Sequence, residues 1–212
     1  MNMRIIAGQY KGRKLYSWNK KLPVRPMTDR VKETVFNVLS PYFFESCKVL
    51  DLFSGTGNLS LEAFSRGAKE VHAVEKNSLC LQIIKKNSHF LDSSQKFILH
   101  KKNVFSFLKK HLSSGSLKKD LNKDLISEKV SLLKKNKSSP LEFDIVLIDP
   151  PFKLKAGESI MTLLTQSDLV YKNTVIAIET CQKEFLNKSY FNFHLFSLKS
   201  FKDKKVCFYK TI

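Results

Sequence analysis

From about residue 47 to residue 181, short apolar runs alternate with segments whose apolar residues recur at helical spacing. The apolar runs predict five β-strands, in CKVLDLF, EVHAVE, KFILHKK, FDIVLID and TVIAIET. The segments between them predict helices in NLSLEAFSRG, LCLQIIKKNSHF, VFSFLKKHL and ESIMTLLTQS. Strands separated by helices of this length form right-handed βαβ crossovers. The pattern therefore predicts an α/β fold, a Rossmann-like, doubly wound, mostly parallel sheet with helices on both faces.

The two ends of the chain depart from this alternation. FHLFSLKSFKDKKVCFYKTI holds two β-rich runs joined by a short charged turn, which predicts an antiparallel C-terminal hairpin and brings the sheet to seven strands. MRIIAGQYKGRKLYSW predicts a small N-terminal hairpin around Lys11 and Gly12. A helix should follow, with its N-cap at Thr28 or Asp29 and its end at Pro41. We therefore divide the chain into an N-terminal extension, residues 1–40, and a main domain, residues 41–212.

One segment, residues 112–141, is longer than a typical connection between a helix and a strand. Leu117, Leu121 and Leu125 lie at helical spacing with lysines between them, which predicts an exposed amphipathic helix between flexible Ser- and Lys-rich ends. Two interpretations remain open for this basic insertion. It is a tolerated surface insertion or a contact with RNA.

The composition of the chain indicates a class of binding partner and a cellular location. The formal charge of +18 favours a polyanionic partner such as nucleic acid, although a general bias toward lysine codons would give the same excess. No apolar run is long enough to cross a bilayer, and the N-terminal segment lacks a signal peptide, so we expect a cytoplasmic protein without a membrane contact. The four cysteines lie far apart without a zinc-binding spacing, which predicts reduced thiols and no metal site.

The arginines are more informative than the lysines because they cluster. Of five arginines, four lie within the first thirty residues: Arg4, Arg13, Arg25 and Arg30. The planar guanidinium group makes two-pronged contacts with phosphate that lysine cannot copy. We therefore expect the N-terminal extension to dock the substrate, with chance placement of a few arginines as the alternative.

A cofactor site is predicted after the first two strands. VLDLFSGTGNLSLEA places a glycine turn, with Gly55 and Gly57, between a strand and a helix, where open α/β sheets bind nucleotides. Ser60 occupies the third glycine position of the dinucleotide fingerprint, so that fingerprint is incomplete. The Asp51 carboxylate at the end of the strand is poorly suited to a pyrophosphate. Asp51 suits an ammonium group, and Glu75 ends the next strand at the distance typical of a ribose contact. An amine and an unphosphorylated ribose together indicate S-adenosylmethionine.

Three further residues complete the predicted cofactor site. Phe53 lies in the glycine turn itself. Asn103 and Val104 follow the third strand, where the Asn103 amide and the Val104 N–H could bind the edge of an adenine. The alternative for Asn103 is an N-cap of the following helix, and the two roles are compatible.

The reacting site is predicted at the abrupt end of FDIVLIDPPF. The strand that ends at Asp149 should lie beside the first strand, at the topological switch point of the sheet. Pro150 and Pro151 stiffen the loop, so the Asp149 carboxylate and the Pro150 carbonyl form a pair of fixed acceptors for an amino group. Phe152 offers a face on which a base can stack. An ordinary turn after a strand is the alternative, which the preceding acidic and glycine residues disfavour.

With these residues in place, the chain resembles the class I S-adenosylmethionine-dependent methyltransferases that modify exocyclic amines. More narrowly, it resembles the RsmD-type 16S rRNA guanine-N2 methyltransferases of bacteria. The resemblance extends from Arg4 to about Glu179 and recurs in the C-terminal hairpin. The motifs that carry it are RIIAGQYKGRKL, RPMTDRVKETVFN, VLDLFSGTGNLSLEA and DIVLIDPPF. Two features depart from the family pattern: the long insertion, and the final turn FKDKKV, which lacks a glycine.

The resemblance implies a guanine in 16S rRNA of the small ribosomal subunit as substrate, presented on an assembled or partly assembled subunit. The basic surface allows contacts with ribosomal proteins as well as with RNA. It implies that Arg25, Thr28 and Arg30 contact cofactor or RNA over the cleft. Adenine-N6 methylation of DNA or RNA remains an alternative, because Asp-Pro-Pro-aromatic also serves that amine. A protein glutamine methyltransferase is less favoured, since its motif begins with Asn. A non-catalytic RNA-binding assembly factor is the alternative from another class. We expect a monomer.

Overall fold

The computed structural model describes residues 3–17, 27–43, 46–92, 94–113 and 141–212. The predicted amphipathic helix of the basic insertion lies outside the described residues, as does Arg25.

Within these ranges, eight strands form one sheet in the order β3-β2-β1-β4-β5-β8-β7-β6. The strands are β1 Lys48–Leu52, β2 Glu70–Glu75, β3 Lys96–Lys101, β4 Ile145–Ile148, β5 Val175–Cys181, β6 Ser189–Tyr190, β7 Phe193–Ser200 and β8 Lys204–Thr211. The first five pair with one another in parallel, whereas β8 pairs with β5 and β7 in antiparallel orientation. The seven predicted strands are confirmed. The two-residue strand β6 extends the edge by pairing with the start of β7.

Helices follow the strands as the sequence predicts. Their bounds are α1 Asp29–Leu39, α2 Asn58–Ser65, α3 Ser78–Ser88, α4 Val104–Lys110 and α5 Gly157–Thr165. The side chain of Thr28 caps α1 by accepting a hydrogen bond from Val31 N, which confirms one of the two predicted N-caps. None of the helices in the described ranges is long and apolar enough to span a membrane.

The central strands of the sheet are buried on both faces. Alternate residues of β1 enter different core clusters: Leu50 packs with residues of α4 and α5, and Val49 packs with residues of α1 and α2. Residues of β4 divide in the same way, with Val146 in the first cluster and Leu147 in the second. A strand covered on both sides needs apolar residues at every position. This explains why the predicted strands read as continuous apolar runs.

The predicted N-terminal hairpin is present as two antiparallel arms with one β-bridge, between Arg4 and Lys14. The Ile5 N–H donates to the Arg13 carbonyl at 3.0 Å. The turn occupies residues 7–12, whereas a tight turn was predicted around Lys11 and Gly12. Because the observed turn is longer, only short arms remain to pair.

This hairpin packs against the C-terminal end of α2 through its backbone. Gly8 has φ +81°, and a Cβ atom built on it would lie 1.8 Å from the Ser65 carbonyl oxygen. The Gln9 N–H donates to that oxygen at 2.8 Å. Only glycine permits both the backbone conformation and the close approach.

A buried carboxylate joins the hairpin, α1 and α2. Glu62 is fully buried, and its Oε2 accepts hydrogen bonds from Ile6 N at 2.8 Å and Lys32 Nζ at 3.1 Å. Its Oε1 accepts from Ala7 N at 3.0 Å and Arg66 Nε at 2.9 Å. Two oxygens therefore receive four donors from three segments of the chain.

The Lys32 ammonium is satisfied in the same way. Besides Glu62, its Nζ donates to the Arg4 carbonyl at 2.6 Å and to Asn58 Oδ1 at 2.8 Å. Burial lowers the pKa of Lys32, and the Glu62 carboxylate counteracts that effect. The N-terminal extension thus shares a buried ion pair with the main domain, and the boundary near residue 40 stays a prediction.

Candidate active site

The carboxyl ends of β1 and β4 meet at the switch point of the sheet. Leu52 and Ile148 pair in register, so the glycine loop that follows β1 and the Asp149 loop that follows β4 leave the sheet side by side. The Asp149 N–H donates to the Leu52 carbonyl at 3.4 Å. Open α/β sheets bind ligands in the crevice at this point. The two predicted halves of the site therefore lie next to each other.

The glycine loop is held by its own backbone and by β2. Ser54 N donates to the Val74 carbonyl at 3.1 Å, and Gly57 N donates to the Ser54 carbonyl at 2.8 Å. Gly57 has φ +83°, and an added Cβ would lie 3.2 Å from the Ile84 side chain. Phe53 also adopts a left-handed conformation, with φ +63°, which is uncommon for a residue other than glycine. Sharp curvature of the loop thus coincides with the predicted site.

Asp51 carries an unsatisfied acceptor. Its carboxylate is fully buried, and Oδ2 accepts a hydrogen bond from the Ser60 hydroxyl. Oδ1 is buried without a hydrogen-bond donor among the described residues. Burial raises the pKa of Asp51 to about 7, and the hydrogen bond from Ser60 opposes that rise. Since an unpaired buried acceptor is costly, the ammonium group of a ligand is a suitable partner.

Glu75 is fixed against the glycine loop. Its Oε2 accepts from Gly55 N at 3.0 Å and its Oε1 from Asn77 N at 2.7 Å. A carboxylate oxygen has a second acceptor site, so both oxygens can still bind the hydroxyl groups of a ribose. The predicted roles of Glu75 and Gly55 are therefore linked, because the Gly55 N–H orients the Glu75 carboxylate. Together with Asp51, these residues fit the amine and ribose of S-adenosylmethionine.

Asn103 and Val104 lie at the same edge, after β3. The Asn103 Oδ1 caps α4 by accepting from Phe105 N at 2.9 Å and from Ser106 N at 3.4 Å. Val104 is the first residue of α4, and its side chain is buried in the core. The capping role is confirmed. Contacts of both residues with adenine stay predictions, for which the Asn103 amide nitrogen is the group not used in the cap.

Asp149 is half-buried and belongs to a cluster with the buried Glu179 and Lys204, which sequence reasoning missed. Ile148 pairs with Ile178 across β4 and β5, so Asp149 and Glu179 are the next residues on adjacent strands. Glu179 Oε2 is buried without a hydrogen-bond partner among the described residues. Glu179 Oε1 accepts from Lys204 Nζ at 2.9 Å, and these two side chains are only 2% and 7% exposed.

The electrostatics of this cluster favour a retained proton. Burial and then the Glu179 charge raise the pKa of Asp149 well above its usual range, while Lys204 lowers it. The Asp51 carboxyl adds to the rise. Burial also raises the pKa of Glu179. Two neighbouring carboxyl groups with one ammonium group beside Glu179 therefore share one proton more readily than they ionise together.

The signal for Glu179 was present in the sequence. It is an acidic residue near the end of an apolar strand, the pattern that marked Asp51, Glu75 and Asp149. Lys204 lacked such a signal, because it reaches the site only through the antiparallel pairing of β8 with β5.

The loop after Asp149 has the stiffness expected of two prolines. Pro150 is buried, Pro151 is exposed, and a short 3-10 turn runs from Phe152 to Leu154. The Leu154 N–H donates to the Pro151 carbonyl at 2.9 Å. Lys204 Nζ lies 5.9 Å from the centroid of the half-buried Phe152 ring. Phe152 is therefore near the buried cluster, as its predicted role requires.

The predicted substrate-docking residues occupy different environments. Arg4 Nε forms an exposed ion pair with Asp29 Oδ2 at 3.0 Å. Arg13 lies over the Phe90 ring, with 3.9 Å between the guanidinium carbon and the ring centroid. Arg30 is exposed in the first turn of α1. These positions do not test contacts with RNA, which stay predictions.

No group of three or more His, Cys, Asp or Glu residues in the described part of the chain is arranged to hold a metal ion. None of the four cysteines, all of which lie in the described ranges, forms a disulfide bond.

Solved structures with the same architecture identify the class of protein. The Escherichia coli protein yhhF superposes with a TM-score of 0.74 and 27% identity, covering 100% of this chain and 98% of that one. A structure from Haemophilus influenzae gives a TM-score of 0.71 and 28% identity, covering 100% and 99%. The chain has the Rossmann-like methyltransferase fold.

Sequence comparison then gives the family. The model described as Conserved hypothetical protein 95 matches residues 3–114 and 93–210. Ribosomal RNA small subunit methyltransferase D of Haemophilus influenzae is 35% identical over 178 residues, which cover 84% of this chain and 78% of that protein. The Escherichia coli protein of the same name is 31% identical, with 84% and 74% covered. The chain belongs to the family of ribosomal RNA small subunit methyltransferase D.

Proposed function

We propose that this protein transfers a methyl group from S-adenosylmethionine to the exocyclic N2 amine of a guanine in 16S rRNA of the small ribosomal subunit. The observation that carries the proposal is the pair of carboxyl groups on either side of the switch point, of which Asp51 is fully buried and Asp149 is half-buried. Asp51 offers an unpaired acceptor to the ammonium of the donor, and Asp149 offers a carboxyl group of raised pKa to the amine of the acceptor. Names of the relatives favour ribosomal RNA as the substrate.

The residues of the reacting site have distinct tasks in this mechanism. S-adenosylmethionine supplies an electrophilic methyl group on a positively charged sulfur. The Asp149 carboxylate and the Pro150 carbonyl accept the two N–H groups of the amine and hold it in line with that methyl group. Phe152 stacks on the base that bears the amine.

Proton transfer completes the reaction. When the new N–C bond forms and the S–C bond breaks, the nitrogen becomes cationic and must lose a proton. Asp149 accepts this proton, since a raised pKa makes its carboxylate a stronger base near neutral pH. Glu179 and Lys204 are positioning residues: Glu179 shares the proton with Asp149, and Lys204 keeps the charge of the pair balanced.

The proposal is tested by incubating the protein with methyl-labelled S-adenosylmethionine and small ribosomal subunits, naked 16S rRNA or DNA. Digestion and chromatography then identify the labelled nucleoside. We expect N2-methylguanosine from subunits or 16S rRNA. Labelled N6-methyladenine would show that the site serves the other amine, and absence of label from every substrate would leave the assembly-factor interpretation.

Variants assign the role of Asp149. Asp149→Asn should reduce transfer by roughly 10²–10⁴-fold, the usual range for a general base, while S-adenosylmethionine still binds. Asp92→Asn, which changes an exposed carboxylate, is the matched control and should retain activity. Loss of cofactor binding in Asp149→Asn would contradict its assignment to the acceptor side of the site. Contacts with ribosomal proteins, the monomeric state and a cytoplasmic location stay predictions.

A further inference from the structure

A basic cavity lies between the second arm of the N-terminal hairpin and the C-terminal half of α3. Its volume is about 340 Å³. The residues that give it its chemistry are Arg13, Lys14, Tyr16, Lys86, His89 and Phe90. Its lining contains no Asp or Glu among the described residues. The cavity is therefore suited to an anion that also carries an apolar surface.

Two of the cations in this cavity lie over aromatic rings. The Arg13 guanidinium carbon lies 3.9 Å from the Phe90 centroid, and Lys86 Nζ lies 3.6 Å from the Tyr16 centroid. No carboxylate in the described part of the chain forms an ion pair with Arg13, Lys14 or Lys86. Stacking on a ring orients a cation without neutralising it, so the charge remains available to a phosphate.

One buried amide fixes the cavity relative to the cofactor site. Asn87 is 2% exposed, and its Oδ1 accepts from Tyr16 N at 2.7 Å. Its Nδ2 donates to the Tyr16 carbonyl at 3.1 Å and to the Thr56 carbonyl at 3.2 Å. Thr56 lies between the two glycines of the cofactor loop. The backbone that carries Tyr16 is therefore joined through a single side chain to the loop beside the reacting site.

We propose that this cavity binds one nucleotide of single-stranded RNA near the methylated base. Arg13, Lys14 and Lys86 contact its phosphate. The base stacks on Tyr16, which is 52% exposed. The volume is at the lower end of the roughly 300–1,000 Å³ of small-molecule sites, which leaves room for a single nucleotide. This inference rests on the proposed function only in taking RNA as the substrate.

The test measures binding of the full chain to naked 16S rRNA at several salt concentrations, separately from methyl transfer. Tyr16→Leu should weaken binding roughly tenfold by removing the stacking face, and Tyr16→Phe should restore it. Arg13→Gln and Lys86→Gln should each lower the slope of log affinity against log salt by about 0.7, the value for one phosphate contact on a single strand. Lys199→Gln, at an exposed position on β7, is the matched control.

The outcomes separate this inference from the proposed function. Unchanged affinity and unchanged salt slopes in the Tyr16 and Arg13 variants would overturn the nucleotide site, even if the wild type methylates guanine. Weakened RNA binding in those variants would support the site, even if the wild type fails to methylate guanine. Weakened binding to whole subunits with unaltered binding to naked 16S rRNA would also overturn it, since the cavity would then contact protein. Equal S-adenosylmethionine affinity in all variants confirms that they are folded.

Discussion

The buried Glu62 carboxylate should be among the most sensitive positions for stability. Glu62→Gln keeps the size of the side chain but removes the charge that faces Lys32 and Arg66. It also replaces one acceptor oxygen by an NH₂ group that cannot accept from the Ile6 or Ala7 N–H. The substitution therefore leaves the buried Lys32 ammonium without its counter-charge and one part-buried backbone N–H without its acceptor.

The magnitude follows from the burial of both ions. The side chains of Glu62 and Lys32 are 0% exposed, and removal of one partner from such a pair costs about 3–5 kcal/mol. That is a large part of the roughly 5–15 kcal/mol that stabilises a native domain. At about 2–4 °C per kcal/mol for a chain of this size, the Tm should fall by roughly 6–20 °C.

Urea denaturation followed by far-ultraviolet circular dichroism measures the free energy of unfolding. Glu33→Gln, which makes the same chemical change on the exposed face of α1, is the control and should cost less than about 0.5 kcal/mol. The destabilisation by Glu62→Gln should shrink as the pH rises, because Lys32, whose pKa is already lowered, then becomes neutral in the folded protein. An equal, small cost for Glu62→Gln and Glu33→Gln would refute the reasoning.

Three further predictions concern the active site and the thiols. In pH-rate profiles, methyl transfer should decline as the pH falls through the raised pKa of Asp149, and this decline should move to lower pH in Glu179→Gln and to higher pH in Lys204→Met. Shifts in the same direction in both variants would contradict the proposed charge interactions of the cluster. Gly57→Ala should weaken S-adenosylmethionine binding and lower stability, since a backbone at φ +83° costs a residue with a Cβ about 1–2 kcal/mol. Calorimetry that finds an unchanged S-adenosylmethionine affinity and an unchanged free energy of unfolding would contradict this. Iodoacetamide should label the half-buried Cys181 before the three buried thiols, which peptide mass spectrometry can follow.

The sheet and its loops were predictable because their signals are local. Each parallel strand is a continuous apolar run, and the glycine turn and Asp-Pro-Pro-Phe lie directly after two of them. The doubly wound topology then places Asp51 and Asp149 at one edge without further information. The capping role of Asn103 was also foreseen, because an Asn before a helix is a local signal.

Residues that depend on long-range pairing were not predictable. Lys204 reaches Glu179 only because β8 reverses direction against β5 in a particular register. Lys32 and Glu62 were seen as parts of helical patterns, and nothing in those patterns shows that both side chains point into the same buried space. A register between distant segments decides such contacts, whereas sequence spacing decides only which face of its own element a residue occupies.

The contact between Ser65 and the N-terminal turn has a consequence for how the extension can vary. Ser65 O accepts from Gln9 N, and Ser65 Oγ accepts from Tyr10 N at 3.0 Å and donates to the Ala7 carbonyl at 2.6 Å. The side chain of Tyr10 also anchors the turn, since its ring lies 5.0 Å from that of Phe90 and its hydroxyl accepts from Asp92 N at 3.1 Å. The other contacts with Ser65 are made by the main chain of the turn. Apart from Gly8 and Tyr10, side chains at the turn can therefore change without loosening its attachment to α2.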